Sequence, residues 1–289
     1  MKNLIYECGL PNFLSGGFGD RIIGMISCLA LSKKYNCEFY IRWIDTNIDD
    51  YFKYRKFDEN IKGSEKKILC QCVEEFKNIN FKDFNNIDNL FLNTNQNFWQ
   101  FIIKENYEKE TLNLFKELFS VYFKPRKGLV KKVEDLIGNK EIVGIQLRFG
   151  DVLMDKERKQ INNPQHNHFP LGEDINRARD LIIRLINENK RVFITSDINL
   201  NNIIDISKYK NLIYQDKPPV HIERSQDKNG LDKSYIDFIA LTKCKKLYIT
   251  YESNFGRCPA LISNCEVQAI TSDLSIKNIG IKELAFKCW

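Results

Sequence analysis

The chain has 289 residues, with hydrophobic residues at 43% and charged residues at 28%. That balance excludes wholesale disorder and a collagen-like chain, and no run approaches the ~18 apolar residues of a membrane span. Forty-four Lys and Arg against 38 Asp and Glu give +6, a charge that suits nucleotides, phosphorylated substrates, an acidic membrane face or nucleic acid without choosing among them.

The elements begin with a short apolar strand at Leu4-Ile5-Tyr6, followed by a loop at Ser15-Gly16-Gly17-Phe18-Gly19-Asp20. Ile22, Met25, Ile26, Leu29 and Ala30 then recur at helical spacing, which predicts an amphipathic helix ending near Asn36. Cys37 to Trp43 reads as a β-branched and aromatic strand, so the chain opens on a βαβ unit and a parallel sheet. Residues 44–105 predict an irregular α/β region with short strands at 67–70 and 89–92. A helix is expected over 107–121. Lys124-Pro125-Arg126-Lys127-Gly128 reads as the linker between a domain of residues 1–125 and one of residues 126–289. In the second half, helices at 129–138, 174–188, 234–243 and 255–263 alternate with strands at 142–147, 191–195, 246–250 and 267–270. That alternation predicts a doubly wound sheet. The loop 149–171 holds two prolines and two of the three histidines, and its composition fits a lid loop or a merely disordered excursion.

The nine cysteines form no Cys-x-x-Cys and read as reduced thiols. Cys70 and Cys72 are spaced to share one face of a strand. His166, His168 and His221 are too few for a His-rich metal site, so no metal is expected. The start, Met1 to Glu7, has no apolar stretch of a signal peptide, and a cytoplasmic protein is expected. Phe98 and Trp99 read as core.

Four polar clusters follow strands or open helices. Gly16-Gly17-Phe18-Gly19-Asp20-Arg21 could bring backbone close to a phosphate at a helix N-terminus, or be a plain βα turn with Asp20 as a cap. It is neither a Walker A loop nor a Rossmann fingerprint. Gln146-Leu147-Arg148-Phe149-Gly150-Asp151 ends a strand, where an Arg can fork onto a phosphate or pair structurally with Asp151. Thr195-Ser196-Asp197 also ends a strand and could instead cap the next segment. Thr250-Tyr251-Glu252-Ser253-Asn254-Phe255-Gly256-Arg257 also follows a strand and opens a helix; Ser253 could hold phosphate or be an ordinary N-cap. Four such clusters in one chain suit a nucleotide diphosphate ligand.

These motifs resemble the GDP-fucose-dependent fucosyltransferase superfamily: the α-1,2, α-1,6 and protein O-fucosyltransferases and the rhizobial nodulation enzyme. Gly17-Phe18-Gly19-Asp20 resembles the family's Gly-x-Gly-Asn/Asp/Cys loop. Gln146 to Asp151 resembles His-x-Arg-x-Gly-Asp, and residues 232–262 resemble the C-terminal donor-binding block. The resemblance implies a GT-B-like α/β fold of two Rossmann-like domains facing across a cleft, the first on the acceptor side and the second binding the donor. In many such proteins the chain's end crosses back onto the first domain; nothing local in the last 18 residues shows it.

Carried over by position, Gly17, Phe18 and Gly19 lie near the donor pyrophosphate and the fucose. The resemblance implies that Arg148 binds the β-phosphate and that Asp197 matches a strand-end aspartate. It likewise implies that Asp237 recognises guanine, that Ser253 and Asn254 hold phosphates, and that Arg257 matches the arginine after them. His221, just before the guanine block, could contact base or ribose or be a plain surface histidine. Gln146 stands where the family usually has His, Phe149 where some branches have a second Arg, and Glu252 where Ser is frequent. Candidates for a catalytic base are Asp20, Asp151, Asp155, Glu157, His166 and His168.

The implied activity is inverting, metal-independent transfer of fucose from GDP-fucose to a glycan hydroxyl, with no cofactor beyond the donor. A lipid-linked acceptor and peripheral membrane association stay open; nucleic acid is not an expected partner. The rival readings are a GT-B glycosyltransferase using another nucleotide sugar, and a catalytically inactive nucleotide- or glycan-binding relative.

Overall fold

The computed structural model describes residues 1–10, 16–149, 175–216, 227–271 and 273–286. They fall into two compact units. One is residues 1–129 with 281–289, and the other is residues 130–280.

In the first unit, β1 (Asn3–Cys8) runs into α1 (Phe18–Tyr35) and then β2 (Glu38–Trp43), the expected βαβ start. The predicted apolar stripe of α1 is buried, and Asn36, at φ 50°, ends the helix in the left-handed region that Asn tolerates. The short β3 (Phe52–Tyr54) is followed by β4 (Glu65–Leu69), α2 (Val73–Asn78), β5 (Asn89–Asn93), α3 (Trp99–Ile102) and α4 (Tyr107–Glu117). The main sheet has the order β2-β1-β5-β4, every pair parallel. A parallel strand covered on both faces is mostly apolar, and Leu4, Ile5, Tyr6 and Cys8 of β1 are fully buried, while the buried Glu7 between them is paired with Arg42. Ser27 of α1 ties the helix to the chain after β5: its hydroxyl donates to Gln96 O at 2.6 Å and accepts from Phe98 N at 2.8 Å. Phe98 and Trp99 are buried core, as expected.

Three expectations are corrected in this unit. Cys70 and Cys72 do not share a strand face, because β4 stops at Leu69 and Cys72 caps α2. The helix from residue 107 changes to a π turn over Leu118–Tyr122. The segment 124–128 is no loop: β6 (Phe123–Pro125) pairs antiparallel with β3, and α5 (Lys127–Ile137) starts at once. The passage from one unit to the other therefore falls inside a helix. Eight described cysteines are free thiols, and burial pushes those of Cys8 and Cys70 up to about 12, where they stay protonated and unreactive.

The second unit contains β7 (Val143–Leu147), α6 (Ile175–Glu188), β8 (Val192–Ser196), β9 (Leu212–Tyr214), α7 (Lys228–Leu241), β10 (Lys246–Thr250), α8 (Asn254–Ser263), β11 (Glu266–Ile270) and β12 (Ile276–Asn278). The sheet order is β12-β11-β10-β7-β8-β9, parallel except for β12. This is a doubly wound sheet, and the strand order reverses between β7 and β10. Strand alternation divides its labour. Val143, Ile145, Leu147, Val192 and Ile194 face α6, whose Ala178, Leu181, Ile182, Leu185 and Ile186 recur at helical spacing. Gly144, Gln146, Thr195 and Ile249 face the other way, toward α7 and α8. The last helix, α9 (Ile281–Phe286), belongs to the first unit, where Asn97 Nδ2 donates to Ala285 O.

Candidate functional site

Three neighbouring parallel strands of the second unit, β10, β7 and β8, end side by side. In such sheets ligands bind beyond the carboxyl ends, where the strand order reverses. The segments leaving these strands are tied together. Thr250 Oγ1 accepts the Arg148 N–H at 2.9 Å and donates to Gln146 O at 3.2 Å. Asp197 Oδ1 accepts the Phe149 N–H at 2.8 Å. The turn after β7 is thus pinned from both sides, while Phe149 is sunk in the core and Arg148 stays half-buried. Asp197 braces this turn rather than capping the next segment. That task falls to Ser196, which accepts from Ile198 N at 3.2 Å, and Asn199, which accepts from Asn201 N at 2.9 Å.

Ser253 is the N-cap residue of α8 in the extended conformation usual for a cap, yet its side chain makes no cap bond. It is 3% exposed, and its Oγ has no hydrogen-bond partner among the described residues. A helix start leaves N–H groups without intrahelical acceptors and carries a partial positive charge, so a buried hydroxyl left open there is suited to an anion. Asn254 and Arg257 are buried on the same first turn, and Arg257 Nη1 donates to Asn254 Oδ1 at 3.3 Å. The helix comes this close to the strands because of Gly256. A Cβ there would lie 2.7 Å from Gln146 Oε1 and 2.9 Å from Ile249 Cβ, and Gln146 Oε1 is itself buried without a partner. Gly256→Ala is expected to cost about 1–3 kcal/mol by overpacking, read as a lowered midpoint in chemical denaturation. An unchanged midpoint would show that α8 can move away from β10.

Asp237, on α7, lies inside a closed network beneath the end of β8. Its Oδ2 accepts from Thr195 Oγ1 at 2.6 Å and from Lys233 Nζ, and its Oδ1 accepts from Gln215 Nε2 at 2.5 Å. Lys233 and Asp237 form a buried i, i+4 ion pair.

In the first unit, Gly17 is the N-cap of α1, and Asp20 Oδ2 accepts the Gly17 N–H at 2.8 Å. Asp20 therefore folds back onto the loop from the third helical position. Gly16, at φ +71°, is a position where a side chain would strain the backbone and crowd the Asp20 carboxylate. Phe18 is buried in an aromatic core with Trp43, Phe52 and Phe123. Arg21 is fully buried: its guanidinium forks onto Asp45 at 2.7 and 2.5 Å and lies 4.7 Å over the Trp43 ring.

Arg148, Asp197, Ser253, Asn254 and Arg257 thus stand at adjoining strand ends and helix starts of the second unit, with Asp237 below the end of β8. Gly17, Phe18, Gly19 and Asp20 belong to the first unit. Asp151, Asp155, Glu157, His166, His168 and His221 lie outside the described residues. Among the described residues, no group of three or more His, Cys, Asp or Glu is placed to hold a metal ion. Sequence reasoning named Thr195 and Thr250 only as members of strand-end clusters, and missed Gln215 and Lys233. Only Lys233 carried a signal, one helical turn before Asp237.

No protein-family model matches the chain, and no curated protein sequence does. Solved structures do. A variant of Arabidopsis thaliana FUT1 in complex with GDP matches with a TM-score of 0.61 at 14% identity, over 96% of this chain and 73% of that one. The α-1,6-fucosyltransferase NodZ soaked with GDP-fucose matches with a TM-score of 0.56 at 12% identity, over 96% of this chain and 99% of that one. POFUT1 in complex with GDP matches with a TM-score of 0.55 at 11% identity, over 91% and 95%. At such identities the likeness speaks for architecture: the chain has the GT-B, two-unit Rossmann-like fold of the fucosyltransferases FUT1, NodZ and POFUT1.

Proposed function

We propose that this protein is an inverting glycosyltransferase that moves fucose from GDP-fucose to a hydroxyl of a glycan acceptor. The observation that carries the reading is Ser253, a buried N-cap hydroxyl that leaves its own helix unserved at the point where a doubly wound sheet takes its ligand. GDP or GDP-fucose in the fold's solved representatives supports the choice of nucleotide.

In this reading the diphosphate meets the start of α8, with Ser253 donating to a phosphate oxygen, and Arg148 meets the β-phosphate. The acceptor oxygen attacks C1 of the sugar, the bond from C1 to the β-phosphate oxygen breaks, and that electron pair leaves with GDP. The acceptor proton passes to a base, for which the sequence offers Asp20, Asp151 and the other carboxylates and histidines of the 150–171 loop. Arg148 and the helix start stabilise the charge that grows on the leaving diphosphate. A cation is then not needed for that task.

The test is calorimetric titration of wild-type protein and Ser253→Ala with GDP, GDP-fucose, UDP and ADP, with and without EDTA. Wild-type protein is expected to bind GDP and GDP-fucose in the micromolar range, indifferent to EDTA. Ser253→Ala loses about tenfold or more in affinity, the worth of a hydrogen bond to a charged group. Its stability stays within a few tenths of a kcal/mol, although removing an N-cap Ser that does cap costs about 1 kcal/mol. A destabilised Ser253→Ala with undiminished GDP affinity would make Ser253 an ordinary cap and remove the central support of this reading.

A further inference from the structure

Between Glu117 and Glu134 the chain carries Lys124, Arg126, Lys127, Lys131 and Lys132 and no acidic residue. Local stability gains nothing from the way some of this charge is placed. Lys124 of β6 stands directly opposite Lys53 of β3 in the antiparallel register. Like charges so placed repel. Lys127 opens α5, whose first turn holds no acidic residue, so a cation meets the positive end of the helix dipole. Lys53, Lys124 and Lys127 are exposed, and no carboxylate among the described residues pairs with them. Arg126 Nε donates to a backbone carbonyl, Asp49 O at 2.5 Å, and the Asp49 carboxylate itself faces Lys56 at 3.7 Å.

Alternation along the ribbon gathers these cations on one face. Phe52 and Phe123 turn inward onto Phe18 and stack on each other, with ring centroids 4.4 Å apart. Lys53 and Lys124 therefore point outward together. The ladder continues past the strands, with the Arg126 N–H donating to Tyr51 O and the Arg55 N–H to Tyr122 O. Arg126, two positions after Lys124, follows it on the outward face. Just before this ladder stands Val121, 56% exposed, the most exposed large aliphatic side chain among the described residues.

An anionic lipid surface complements both features. Its headgroups offset cations that repel one another, and its interface takes an apolar side chain that water does not favour. A soluble polyanion would answer the charge and leave Val121 without a role. We infer that the outward face of the β3–β6 ribbon, with Lys53, Lys124, Arg126 and Lys127, is a peripheral docking surface for membranes rich in anionic lipid. The surface needs no nucleotide and stands apart from the donor chemistry above.

The test is cosedimentation of the nucleotide-free protein with vesicles of phosphatidylcholine, alone or with about one-third phosphatidylserine. Binding is expected to the anionic vesicles only, and to be largely lost when salt is raised about tenfold from 0.05 M. A basic residue at such a surface is worth about fivefold in partitioning, so Lys53→Gln with Lys124→Gln is expected to weaken binding about 25-fold. Its midpoint in urea should hold or rise, because a repulsion has been removed. Lys62→Gln with Lys104→Gln removes the same charge from exposed positions outside the ribbon and is expected to weaken binding less than about threefold. Val121→Ser is expected to weaken vesicle binding about threefold or more.

Equal losses in the two double variants would make the attraction one of net charge and overturn the inference. Binding to neutral vesicles as strong as to anionic ones, or to neither, would overturn it too. A single-stranded oligonucleotide bound as tightly as the anionic vesicles, and weakened as much by the Lys53 and Lys124 changes, would assign the ribbon to a soluble polyanion instead.

Discussion

Arg148→Ala is expected to lower kcat by roughly 10²–10³-fold, the usual loss when one pre-placed donor to a developing negative charge is removed. Its backbone explains why the effect is large. The Arg148 N–H is held by Thr250, and the next N–H by Asp197, so the turn that carries the guanidinium is fixed by the strands on either side. A group held in place before reaction need not reorganise when the leaving diphosphate gains charge. GDP affinity is expected to fall much less than kcat, because the stabilised charge is greatest in the transition state. Arg148→Lys should recover part of the rate, since an ammonium supplies the charge without the fork. Gln146→His, at the neighbouring position that differs from the family motif, should change kcat only a few-fold. Initial-rate kinetics with GDP-fucose and an accepted glycan would decide, and an Arg148→Ala enzyme of near-wild-type kcat would remove Arg148 from the chemistry.

What the sequence made legible followed from periodicity. The apolar stripe of α6 and the largely apolar runs of β7, β8 and β10 are strong signals, because a doubly covered parallel sheet favours such runs. The helix starting at Asn254 was visible for the same reason, and so was the cluster before it. β9 and β12 were not, because each has three residues and is held by its partner strand rather than by a pattern of its own. Nor was the continuity of residues 123–137, where Lys124-Pro125-Arg126 has a turn-like composition. Phe123 there stacks on Phe52, and the long-range β3–β6 pairing overrides local preference.

At the site, polar strand ends located Arg148, Asp197 and Ser253, and the family resemblance alone pointed to Asp237; neither showed what each side chain touches. Asp197 and Ser253 looked alike, as short polar residues at strand ends. One proves to brace a turn and the other to be an unused cap, a difference that depends on Phe149 and on the depth of α8. The surroundings of Asp237 come from β8, from the chain after β9, and from its own helix. Only the last of these is written nearby in sequence.

The Gly-rich loop of the first unit hides its largest energetic feature in the residue just after the motif. Arg21 is fully buried, and its two hydrogen bonds to Asp45 compensate a charge that would otherwise be stranded among Trp43, Tyr6 and Cys8. Asp45→Ala is therefore expected to destabilise the protein by about 3–5 kcal/mol, most of it the cost of leaving a buried guanidinium unpaired rather than the worth of the pair. Asp45 retains 22% exposure of its side chain, which places the loss toward the lower end. The discriminating control is the double variant Arg21→Met with Asp45→Leu. If the penalty is an orphaned charge, it should recover most of the loss in urea denaturation. If it is as unstable as Asp45→Ala, the fork itself is what the fold needs. The second outcome has a structural basis: Arg21 Nε also reaches Gly16 O at 3.3 Å, and the Asp45 carboxyl sits against Gly9, at φ +80°. The pair would then be the clamp that holds both ends of the segment between β1 and α1, and its loss would release the Gly16–Gly17 turn together with the start of the helix.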